Sequence, residues 1–149
     1  MRRPALFLVA ALTLVAADHP DLSGNWVLNT EKSTFSQKNF NPDGMKLEVA
    51  RQGDGFHSKL TTMDGNSGGT VTEGDWYLDG QYHPISGTRW SQMSKWESNV
   101  LVADKKSAED SYDEQMRLSV STDGKRVTEN LSVKNSNGTN ASTLIWDRM

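Results

Sequence analysis

No cysteine occurs in the 149 residues. That excludes disulfides, a thiolate nucleophile and a thiolate-ligated metal, so in an oxidising compartment packing alone must hold the fold. Imidazoles are also scarce. His19, His57 and His83 form neither a His-x-x-x-His pair nor a compact cluster with carboxylates, so no metal site is expected. No serine stands in Gly-x-Ser-x-Gly, and Ser67-Gly68-Gly69 reads as a turn. No glycine-rich loop opens a helix, so there is no phosphate cradle. The formal charge is −3 with no basic cluster, which argues against nucleic acid and anionic membrane surfaces as partners. After residue 16 no long apolar run remains, so no membrane span is expected in the rest of the chain.

The one apolar run sits at the start. Met1-Arg2-Arg3-Pro4 precedes residues 5–16, interrupted only by Thr13, and Val15 and Ala17 place small residues at −3 and −1. A basic lead, an apolar core of about a dozen residues and a small-residue exit predict a secretory signal peptide over 1–17. The run is shorter than the roughly 20 residues a spanning helix needs. The expected mature chain is 18–149, secreted or periplasmic, with 132 residues and, after loss of Arg2 and Arg3, a formal charge of −5. That length fits one domain with one core.

Along the mature chain the dominant signal is alternation. Met45, Leu47 and Val49 alternate with Lys46, Glu48 and Ala50, and Tyr112, Met116, Leu118 and Val120 alternate with Asp113, Gln115, Arg117 and Ser119. Val127, Leu131 and Val133 alternate with Thr128, Ser132 and Lys134. Each pattern predicts a strand with one wet face. Asp-Gly or Asn-Gly dipeptides at 43–44, 54–55, 64–65, 79–80, 123–124 and 137–138 mark tight turns. A turn at Asp123-Gly124 sets Val120 opposite Val127, Leu118 opposite Glu129, Met116 opposite Leu131 and Glu114 opposite Val133, with both apolar sets on one side. The same reasoning at Asp54-Gly55 sets Val49 opposite Leu60 and Leu47 opposite Thr62.

Nine or ten strands follow, over 22–29, 45–52, 56–63, 70–79, 81–85, 87–97, 99–105, 111–122, 125–135 and 139–148. The irregular stretch 30–44 has room for one helical turn at 30–35. Short joints favour an all-β, antiparallel up-and-down meander closed into a barrel of about 8–10 strands over a sandwich, which needs long crossovers. A barrel must be sealed where its first strand meets its last. Gly24-Asn25-Trp26 opens the first and Trp146-Asp147-Arg148 closes the last. Gly24, Trp26 and Arg148 are therefore expected to form a structural clamp, with the guanidinium over the indole face.

Four stretches together carry a resemblance. They are Leu22-Ser23-Gly24-Asn25-Trp26-Val27-Leu28-Asn29 with Lys32-Ser33; Ser94-Lys95-Trp96-Glu97-Ser98-Asn99-Val100-Leu101-Val102; Leu118-Ser119-Val120-Ser121-Thr122-Asp123-Gly124-Lys125; and Trp146-Asp147-Arg148. The chain resembles the calycin superfamily, and within it small bacterial lipocalin-like proteins of uncharacterised function. The resemblance implies an up-and-down lipocalin-like barrel with one open mouth and commonly a small hydrophobic ligand. The chain departs from larger lipocalins in its length and in lacking disulfides and a clear C-terminal helix.

Candidate binding residues come from what stands on the apolar faces. Five tryptophans are many for this length. Trp76 and Trp90, on adjacent mid-chain strands with Tyr77 and Tyr82 nearby, either fill the core or line an aromatic pocket. Glu114 and Glu129 share apolar faces with Tyr112 and Met116, where an unpaired carboxylate is costly. Either they enter a wet cavity, or a base such as Arg89 or Arg126 pairs with them, or inside and outside are reversed nearby. The expected ligand contacts are thus Trp76, Tyr77, Trp90, Tyr112, Glu114, Met116 and Glu129. In the paired register the two glutamates stand about 13 Å apart, too far for a catalytic carboxylate pair. No catalytic residue, cofactor or metal is expected. The leading reading is an exported barrel that binds a small hydrophobic or amphipathic molecule. The alternatives are a filled barrel serving as an envelope interaction module or enzyme inhibitor, and an isomerase-like enzyme using Glu114 as acid or base.

Overall fold

The computed structural model describes residues 18–36, 43–63, 65, 69–109 and 111–149. The expected signal peptide, 1–17, lies outside them, as do parts of the stretches 30–44 and 64–69. Ten strands follow in chain order: β1 (Gly24–Leu28), β2 (Gly44–Gln52), β3 (Gly55–Met63), β4 (Thr70–Trp76), β5 (Tyr82–Pro84), β6 (Trp90–Glu97), β7 (Val100–Ser107), β8 (Asp113–Val120), β9 (Arg126–Asn135) and β10 (Gly138–Arg148). There is no helix among the described residues. Within 30–35 a single helical turn forms, where Ser33 N–H donates to Asn29 O at 3.1 Å.

All ten strands belong to one antiparallel sheet in the order β4-β3-β2-β1-β10-β9-β8-β7-β6-β5. Neighbours in space are neighbours in sequence except at one place, where β1 lies between β2 and β10. This is the up-and-down meander, joined head to tail and curled into a lipocalin-like barrel. β4 and β5 are the two ends of the sheet, and no ladder joins them among the described residues. The chain between them is latched to β6 instead: Ser94 Oγ donates to Tyr77 O at 2.5 Å, and Gly80 N–H donates to Ser94 O at 3.0 Å.

Alternation and turn chemistry together set the β8–β9 register. Val120 faces Val127, Leu118 faces Glu129, Met116 faces Leu131 and Glu114 faces Val133, as expected. The β2–β3 hairpin differs from expectation by two residues. Leu47, not Val49, pairs with Leu60, and Val49 pairs with Ser58. The turn is Gly53-Asp54, and Gly53 takes the positive φ of 57° that a two-residue hairpin with glycine at its first central position requires. Because the offset is even, every side chain keeps its predicted face.

The core is lopsided. Leu22, Trp26, Phe56, Leu101, Leu118, Val127 and Trp146 are buried, and they gather where β1 begins and β10 ends. The other end, where β2 begins and β9 ends, is an open mouth. His19 adds a tie at the plugged end: its ring stacks on Trp96 at 4.8 Å, and its Nδ1 meets Ser98 O at 3.0 Å.

Candidate functional site

At the plugged end Trp26 pairs across β1 with both Leu47 and Arg148. The indole is fully buried and donates from Nε1 to Leu22 O at 3.0 Å. Arg148 Cζ lies 4.2 Å from the Trp26 ring centroid. Its guanidinium also donates to Gly124 O at 2.8 Å and Ser23 O at 2.9 Å, so one side chain ties β10 to the β8–β9 turn and the chain entry. Gly24 is required beneath it. A Cβ there would stand 2.5 Å from Arg148 Nη1, and the backbone φ is 135°. These three residues form the barrel's closed end and do not border the cavity.

Above this plug the barrel is hollow. A cavity of about 770 Å³ opens toward the mouth. Trp76, Tyr77, Trp90, Tyr112, Glu114, Met116 and Glu129 all line it. Trp76 and Trp90 do not stand side by side as neighbouring strands would place them. Trp76 ends β4 near the floor, opposite Phe56, whereas Trp90 begins β6 at the mouth, opposite Ser107. Trp76 Nε1 donates to Ser58 Oγ at 2.8 Å, and Trp90 meets Tyr112 edge-on at 4.5 Å.

Much of the apolar wall was not singled out from sequence. Met45, Leu47, Leu60, Leu118, Leu131 and Leu144 line the same space. Alternation marks each as inward but cannot tell core from cavity wall, because that depends on what lies across the barrel. The base beside the upper carboxylate is neither Arg89 nor Arg126. Arg126 sits on the outer face and donates from Nε to Asp147 Oδ1 at 2.9 Å, and Arg89 meets Glu109 at 3.7 Å. The base is Lys105, whose Nζ is 4.0 Å from Glu114 Oε2 and 5.5 Å from the Trp90 ring centroid. It follows Leu101 and Ala103 on the inward face of β7, a signal present in the sequence.

Tyr112 O–H donates to Glu114 Oε2 at 2.5 Å. Burial, and then the adjacent Glu114 carboxylate, push the Tyr112 phenol well above its ordinary range. Glu129 lies deeper, is 8 % exposed, and its Oε2 accepts from Trp146 Nε1 at 2.9 Å. Burial pushes the Glu129 carboxyl up to about 7; the Trp146 bond pulls it down and the Glu114 charge adds to the rise. No group of three or more potential metal ligands occurs among the described residues.

No protein-family model matches the chain, and no curated protein matches it. Solved structures do. A secretory abundant heat soluble protein from Ramazzottius varieornatus superposes with a TM-score of 0.66 at 10% identity, covering 89% of this chain and 98% of that one. Zebrafish ileal bile acid-binding protein complexed with cholic acid gives 0.56 at 15% identity, over 85% and 98%. Fatty-acid-binding protein 1 of Echinococcus granulosus gives 0.57 at 15% identity, over 86% and 97%. The chain thus shares the up-and-down β-barrel fold of these three proteins. At these identities the likeness is one of fold.

Proposed function

We propose that the protein binds a small hydrophobic or amphipathic molecule inside the barrel, and that it does so after export, as a chain beginning near Asp18. The observation that carries this is the 770 Å³ hollow with apolar walls and a few inward polar groups. That volume lies within the roughly 300–1,000 Å³ typical of small-molecule sites. A filled barrel acting only through its outer loops is disfavoured by the same hollow. Among the similar folds, one is a fatty-acid-binding protein and one is complexed with cholic acid, which supports the same class of ligand here. Turnover is not part of the reading. Glu114 is engaged by Tyr112 and Lys105, and Glu129 pairs with Leu118, four residues along β8 from Glu114.

The test is native mass spectrometry of protein purified from its own host, with tryptophan-quenching titrations against a lipid panel. Trp76, Trp90 and Trp146 border the cavity, so an occupant should change their emission. A retained small molecule, or saturable quenching at one equivalent, is expected. An empty barrel with no quenching by any lipid overturns the reading. Export is checked by N-terminal sequencing of the secreted or periplasmic protein, where an intact Met1 would refute cleavage.

A further inference from the structure

The polar groups inside the cavity lean to one sign. Glu114 and Glu129 project inward from β8 and β9, and Lys105 is the one lysine or arginine among the described lining residues. Lys105 is already engaged by Glu114 and lies over Trp90. His57 and His83 also border the space, but each meets a carboxylate: His57 Nδ1 to Asp75 Oδ1 at 2.7 Å, and His83 Nε2 to Asp79 Oδ2 at 2.9 Å. Glu129 is the exception. Its Oε2 is bonded to Trp146, while its Oε1 has no hydrogen-bond partner among the described residues.

A carboxylate that lines a largely apolar hollow without a cationic partner is satisfied by a donor, and best by a cationic one. An anion brought to the same place would set two like charges together in a low-dielectric hollow. We propose that the cavity takes an amphiphile whose polar end is a protonated amine, with the nitrogen at Glu129 Oε1 and the apolar body along Leu47, Leu60 and Leu131, and that it discriminates against carboxylates. This rests on the binding reading above and narrows it. The raised proton affinity of Glu129 agrees with it: the carboxylate lacks a counter-charge, which an ammonium would supply in place of the proton.

The experiment compares decylamine, decanol and decanoate on the purified protein at pH 8, by tryptophan titration and calorimetry. Decylamine should bind about tenfold or more tighter than decanoate, with decanol between, since one paired charge replaces one like-charge contact. Glu129→Gln should bring the amine-to-carboxylate ratio close to one, because the amide keeps an acceptor at the same place but carries no charge. Glu114→Gln provides a second route that does not depend on the first variant folding: it frees Lys105 and should also move the ratio toward decanoate. Decanoate binding as tightly as decylamine to the unmodified protein, or an unchanged ratio in a folded Glu129→Gln variant, overturns the proposal. If decanol binds without any amine preference, only this inference falls. If none of the three binds, the cavity reading falls and takes this one with it.

Discussion

Replacing Glu129 by glutamine should make the protein more stable in alkaline buffer and leave it nearly unchanged in acid. The carboxyl is 8 % exposed, and burial lifts its pKa from 4.5 to about 7. A carboxyl whose folded pKa is raised favours the fold when protonated. Its contribution is complete below the unfolded value near 4.5, declines as pH rises, and is lost above about 7. At 1.36 kcal/mol per unit, that rise corresponds to about 3 kcal/mol. Glutamine has nearly the same shape and its carbonyl can still accept from Trp146 Nε1, but it has no charge to desolvate. Urea unfolding followed by tryptophan emission, from pH 4.5 to 8.5, should show the variant gaining on the parent up to neutrality and then holding a constant lead of about 3 kcal/mol. Asp113, raised chiefly by the adjacent Asp104 carboxylate, titrates in the same direction but is present in both proteins and cancels. A lead of the same size at pH 4.5, or a parent more stable than the variant at pH 8, would refute the argument.

Three further outcomes follow from the closed end and the outer face. Trp26→Ala should cost about 3–5 kcal/mol as a large buried truncation, and an unchanged melting temperature would contradict the clamp. Ser98 is the one non-glycine residue with positive φ among those described, at 56°. Ser98→Gly should therefore stabilise by about 0.5–1 kcal/mol once glycine's own entropic cost is set against the relieved strain, read as a shift in the denaturation midpoint; a destabilised variant would count against that backbone geometry. Asp113→Asn should raise stability at pH 8 relative to pH 4, since it removes a carboxylate pressed against Asp104. Equal effects at both pH values would rule out that like-charge contact.

How much of this was legible in the chain varied from one hairpin to the next. Residues 111–135 carry two long alternating strands and one Asp-Gly, so only one register buries both apolar faces. At 45–63 the glycines on either side of Asp54 each offer a turn. Alternation cannot separate registers two residues apart, and the φ of Gly53 decides between them. In the cavity, Glu114, Met116 and Glu129 were legible as inward because they share a strand face with apolar neighbours. The partners were not. Trp146 reaches Glu129 although it pairs with Val127, and Glu129 itself pairs with Leu144, so their contact runs diagonally across the ladder. Lys105 meets Glu114 because the two residues are paired between β7 and β8, a register that no Asp-Gly or Asn-Gly turn marks in the sequence.

A molecule solid at one end and hollow at the other separates two kinds of tolerance. Changes around Trp26, Val127 and Trp146 strike what keeps the polypeptide folded, whereas changes near the mouth, at Val133 or Asn140, reshape the vestibule. The two ends can therefore be altered independently, and an engineer seeking a new binder would begin at the rim.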